Sequence, residues 1–153
     1  MNAIPAQEVA DHCLQAFTQL VHVSQAAFYC VDRQLQARDF RLHGMSGEMH
    51  RDYLDNYQQF DPLQPSNCAS SGLNVVPLGF AMARQPQRDN HRYQDFLLRY
   101  GVVDVVEILA HRAGQPQAAI SLLRTAEQGA FTPDQLSQLN ADRQSTRLNS
   151  SHN

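Results

Sequence analysis

Tyr53 and Tyr57 stand four residues apart and run directly into Phe60, Asp61 and Pro62. Residues at that spacing share one face of a helix, so the two rings can line a pocket while their hydroxyls reach a ligand carbonyl. Stacked aromatics of a core have the same spacing, and for Tyr57 that is the stronger reading. Asp61 precedes a proline. A buried carboxylate there can accept short, charge-assisted hydrogen bonds, and Asp-Pro is equally a frequent turn opener. Both readings of Asp61 stand at this level. Ser121 sits between Ile120 and Leu122. A hydroxyl among such neighbours needs a partner when buried, and backbone, water or a ligand can supply it.

Other reactive side chains form weaker patterns. Asp104 and Glu107 interrupt an apolar run, but their odd spacing puts them on opposite faces of a strand, so that strand alone cannot pair them. Solvent exposure or a salt bridge is the common fate of such residues; a pocket is the other. Arg84, Arg88 and Arg92 recur at four-residue steps, yet Pro86 between them breaks a continuous helix, which favours a solvated face over a phosphate site. His12, His22, His43, His50, His91 and His111 show no HxxxH or HExxH spacing. There is no GxSxG, phosphate-cradling glycine loop or Cys–His signature. No enzyme, metal or cofactor is expected. Cys13, Cys30 and Cys68 are odd in number and lack CxxC spacing, as expected of inert thiols. Cys68, in a polar stretch, is the one suited to redox sensing.

These residues need elements to hold them. Val9, Cys13, Phe17, Leu20 and Val21, with Leu14, predict a first helix after Pro5. Residues 26–31 predict a buried strand, and 35–42 a more polar one nearer an edge. Met49, Tyr53, Tyr57 and Phe60 predict a helix from Glu48 to Asp61-Pro62. Residues 61–74, with two prolines, small polar residues and a glycine, read as loop, and 75–78 as a short edge segment. A second aromatic helix carries Tyr93, Phe96, Leu97 and Tyr100 on one face and is capped by Gly101. Strands are predicted at 102–110 and 117–124, antiparallel across a turn at 113–116. Thr132, Pro133 and Gln135 form a capping-box helix start.

The chain of 153 residues has the length of one domain, and its net charge of −3 disfavours a nucleic-acid surface. No apolar run reaches the ~18 residues of a membrane span, and residues 1–8 lack a signal core. A cytoplasmic protein is expected. The apolar stripe of the helix that starts at Thr132 stops after Leu139, and RQSTRLNSSH (residues 143–152) resembles a translated sequencing-library adapter. The expected organisation is a ligand-sensing domain at 1–140 followed by a non-native tail at 141–153.

The order of elements carries a resemblance. A tyrosine-bearing helix ending in Phe60-Asp61-Pro62, an aromatic helix over residues 91–101, and two strands with Ser121 in the second resemble the amino-terminal sensory domain of LuxR-type helix-turn-helix regulators. The resemblance covers roughly residues 5 to 140. It implies an α/β (α+β) GAF/PAS-like sandwich, with a central antiparallel sheet of about four or five strands flanked by helices. It further implies a pocket between sheet and helices, with Asp61 presented to a ligand amide N–H, Tyr53 lining the pocket and Ser121 against the ligand. Partners implied are an unknown small molecule, a second copy in a homodimer, and DNA only through a separate domain absent from this chain. One departure is plain. The chain has no tryptophan, whereas lactone-binding members use one to hold the lactone carbonyl, and the matching position falls near Glu48. Alternatives are a stand-alone protein that heterodimerises with a full-length regulator, and a GAF-like redox protein using Cys68.

Overall fold

Side-chain alternation in five short segments builds one antiparallel sheet. The computed structural model describes residues 6–141. Their order is α1 (Ala6–Leu20), β1 (Gln25–Val31), β2 (Ala37–His43), α2 (Gly47–Asp52), a π-helical turn (Tyr53–Tyr57), a 3-10 turn (Gln58–Phe60), α3 (Pro65–Ser71), β3 (Val75–Pro77), α4 (Leu78–Met82), α5 (Gln87–Arg99), β4 (Val102–Arg112) and β5 (Gln115–Thr125). Residues 133–141 are again helical. The sheet order is β2-β1-β5-β4-β3. The polar strand β2 lies at one edge, and β3, ending in Pro77, at the other, where a missing N–H costs no ladder bond. None of the described helices is long and apolar enough to cross a membrane.

Period-two alternation sends the two sets of strand residues to different layers. Ala26, Phe28, Val106, Ile108, Ile120 and Leu122 face α1 and the helix at 133–141, packing on Leu14, Phe17 and Leu139. Tyr29, Val105, Leu109, Ala119 and Leu123 face α2 to α5. The result is a sheet between two helical layers. The capping box forms as expected: the Gln135 N–H donates to Thr132 Oγ1 at 3.1 Å, and the Thr132 N–H to Gln135 Oε1 at 2.9 Å. Gly101 takes a left-handed φ of 69° just past α5.

Three expectations are corrected. The segment from Glu48 to Phe60 is not one α-helix but α2, a π turn and a 3-10 turn in succession. A π turn spans more residues than an α turn, which changes the direction of the side chains that follow Tyr53. The stretch 61–74 is not all loop: α3 starts with Pro65 in its first turn, where the missing N–H is no loss, and ends at Gly72 with φ 75°. Cys68 therefore sits in a helix, 1% exposed, with its thiol against the Leu63 carbonyl. Burial and nearby carboxylates push that thiol well above the ordinary range, the opposite of a reactive cysteine. The proposed non-native tail lies outside the described residues except for residue 141.

Candidate ligand-binding site

The side chains that could do chemistry meet on the α2–α5 side of the sheet. One row crosses four strands there: Ala27 pairs with Ser121, Ser121 with Glu107, and Glu107 with Val76. Pairing places these four side chains on one face. Ser121 Oγ donates to Glu107 Oε1 at 2.7 Å, and Tyr29, diagonal to them on β1, donates its hydroxyl to Glu107 Oε2. Glu107 is only 3% exposed.

Asp61 approaches from the helical layer. Its backbone is extended, as the residue before a proline requires. One carboxylate oxygen accepts the Leu63 N–H at 2.8 Å, which closes the turn, and the other accepts the Tyr53 hydroxyl at 2.6 Å. The turn-forming and site-lining readings of Asp61 thus describe one geometry. The segment is pinned to its neighbours at both ends. Gln85 donates to the Phe60 carbonyl at 3.0 Å, and Tyr100 donates to Asp52 at 2.7 Å, where Arg99 also pairs at 3.1 Å.

Between these groups lies a cavity of about 50 Å³. Tyr29, Phe40, Tyr53, Tyr93 and Phe96 form its aromatic wall, and Asp61, Glu107 and Ser121 supply its polar groups. It is far smaller than the ~300 Å³ or more of a typical ligand pocket. Tyr93 is 4% exposed, yet its hydroxyl makes no hydrogen bond among the described residues.

The electrostatics are unusual for a sheet interior. Burial, with the Asp61 charge adding, pushes Glu107 up to about 8 against the opposing hydrogen bonds from Tyr29 and Ser121. Burial alone raises Asp61 to about 6, against the bonds from Tyr53 and Leu63. Tyr29, Tyr53 and Tyr93 are all held well above the usual phenol range by burial and the nearby carboxylates. Neither carboxyl has an ion-pair partner among the described residues. No group of three or more metal-ligating residues occurs there either.

Of the four residues singled out from sequence, Asp61, Tyr53 and Ser121 are brought together. Tyr57 is not: its ring packs tilted against Phe96, centroids 5.2 Å apart, and it lines a polar surface groove with Gln58 and Gln64. Sequence reasoning held a pocket as the less common fate of Glu107, gave Tyr93 only a place on the face of an aromatic helix, and did not single out Tyr29. The one available signal was Glu107 itself, a carboxylate inside an apolar run. Asp104 does lie on the opposite face, where it accepts the Phe131 N–H at 2.9 Å.

No family model matches the chain. A curated relative, the monoamine regulon transcriptional regulator of Klebsiella aerogenes, is 36% identical over 116 residues, which is 76% of this chain and 50% of the relative. The chain spans about half that relative's length. Among solved structures, the GAF domain/HD domain protein of Geobacter sulfurreducens superposes with a TM-score of 0.64 at 15% identity, covering 95% of this chain and 92% of that one. CepR2, an N-acylhomoserine lactone dependent LuxR family transcription factor of Burkholderia cenocepacia, gives 0.55 at 13% identity, covering 94% and 91%. The chain is therefore a relative of a transcriptional regulator, with the GAF-like fold of a sensory domain that LuxR-family regulators share.

Proposed function

We propose that this domain binds a small molecule in the cavity between Glu107 and Asp61, and that binding controls dimerisation and DNA binding by a further domain of the regulator. The observation that carries the reading is the site itself: two buried carboxyls and an unpartnered tyrosine hydroxyl around an aromatic-walled cavity. A buried carboxylate with no cation beside it is costly to ionise, and a ligand of the right chemistry can offset that cost. The name of the Klebsiella relative puts monoamines among the first compounds to test.

A route for the signal is built into β4 and β5. On one face these strands carry Glu107 and Ser121. On the other, Asp104 and Arg124 hold the segment leading into the helix at 133–141: Arg124 donates to the Gln128 and Gly129 carbonyls at 2.6 and 2.9 Å. A ligand that prefers one arrangement of these strands shifts the population of the other end. The test is a thermal-shift screen of this chain with small metabolites, followed by sedimentation of the hits. A hit should raise Tm, lose that effect in Asp61→Ala, and change the fraction of dimer. Compounds that stabilise both proteins equally would place the ligand elsewhere.

A further inference from the structure

The geometry points to a ligand that carries a single positively charged amine, its ammonium hydrogens accepted by Asp61 and Glu107 and its body held by the surrounding rings. This rests on the sensory reading above and deepens it to a ligand class.

Charge and hydrogen-bond capacity together select the ligand class. Among the described residues, every polar group that faces the two carboxyls is neutral: Tyr29 from β1, Ser121 from β5, Tyr53 from the π turn, Tyr93 from α5 and Cys68 from α3. His50, packed on Phe40 and Tyr53, has its basicity lowered by burial. A buried carboxylate is normally paired with a cation or a metal, and two carboxylates with aromatic walls fall short of a metal's donor set. A neutral amide offers an N–H but leaves the negative charge uncompensated. An ammonium group offers three N–H donors and one positive charge. It can reach both carboxyls and the free lone pairs of Tyr93, while the rings favour a cation over their faces. Burial raises both carboxyls and the Asp61 charge raises Glu107 further, and a cation between them opposes each of those shifts.

Binding therefore has a signature. A cation favours the ionised form of Glu107, which burial holds back, so protons are released as the ligand binds at pH 7. The test is calorimetry of this chain with 2-phenylethylamine, butylamine and methylamine, each against the alcohol of the same skeleton. Titrations run at pH 7 in two buffers of different ionisation enthalpy. At least one amine should bind with proton release while its alcohol binds at least ~10-fold more weakly. Glu107→Gln should abolish the proton release. Tyr93→Phe should weaken the amine and leave Tm unchanged, which keeps the test decisive if Glu107→Gln fails to fold. An alcohol or the N-acetyl derivative of an amine binding as well as the amine would overturn the cation and leave the sensory reading standing. Failure of all three amines overturns the cation proposal outright; failure of the wider metabolite screen as well overturns the sensory site.

Discussion

The two faces of the sheet treat buried charge in opposite ways. On the α1 side, Arg124 is 6% exposed, but its guanidinium donates to the carbonyls of Val21, Gln128 and Gly129 and lies 5.0 Å from the Phe131 ring centroid. Each of the guanidinium's hydrogen bonds ends on a backbone carbonyl. On the other side, Glu107 is equally buried, yet it accepts only two hydroxyls and faces a second carboxyl across a cavity. The first arrangement is complete without a ligand, as a structural group should be. The second has no cation among the described residues to pair with its two carboxyls.

Removing each group tests that contrast. Arg124→Met should be the most damaging change, since it takes the donor from the buried Val21 carbonyl and from the half-buried carbonyls of Gln128 and Gly129. A loss of about 3 kcal/mol in urea unfolding is expected, and a loss under about 1 would remove Arg124 from its structural role.

Glu107→Gln should act with the opposite sign. A carboxyl whose folded pKa is raised contributes stability below its unfolded value, and that contribution is lost as pH rises through the folded value. The described site raises Asp61 to about 6 and Glu107 to about 8. The unliganded protein should therefore lose stability between about pH 4 and pH 8, relative to a variant without these carboxyls. At pH 8 Glu107→Gln should be more stable than the parent, on the order of 2 kcal/mol. Unfolding curves at several pH values decide it, and parallel curves for parent and variant would show that Glu107 does not titrate in this range.

Ile120→Val, on the dry face one residue before Ser121, should cost about 1 kcal/mol at every pH, as a lost methylene in a packed core does. Its effect on ligand binding should be negligible, and a clear loss of affinity would mean that the two faces are coupled. Smallest of all, Tyr93→Phe should change the stability of the unliganded domain by less than about 0.5 kcal/mol, because its hydroxyl has no partner to lose. A larger cost would reveal a hydrogen bond at that hydroxyl in solution.

Much of the scaffold was legible because its signals are local. An apolar run rich in aromatic and β-branched residues marked β1, and two such runs across the turn at 113–116 marked β4 and β5; Gly101 marked the end of α5; Thr132 and Gln135 marked the start of the last described helix. Part of the site was legible too, since Tyr53, Asp61 and Ser121 stand in recognisable local contexts. The π turn was not, because a stripe at three- and four-residue steps looks alike whether the turn holds four residues or five. Helix α3 was hidden by Pro65, Ser66, Ser70 and Ser71, which favour turns as readily as a first helical turn.

The sequence by itself determined which strands alternate, where helices begin and stop, and that Asp104 and Glu107 must face opposite ways. Only the tertiary structure decided which of the two would sit beside a cavity. Burial and charge compensation belong to the partners an element meets, and Glu107 meets Ser121, Tyr29 and, across the cavity, Asp61. Those residues come from four separate parts of the chain, 78 positions apart in the case of Tyr29. No local pattern encodes that meeting; the register of β1, β5 and β4 creates it.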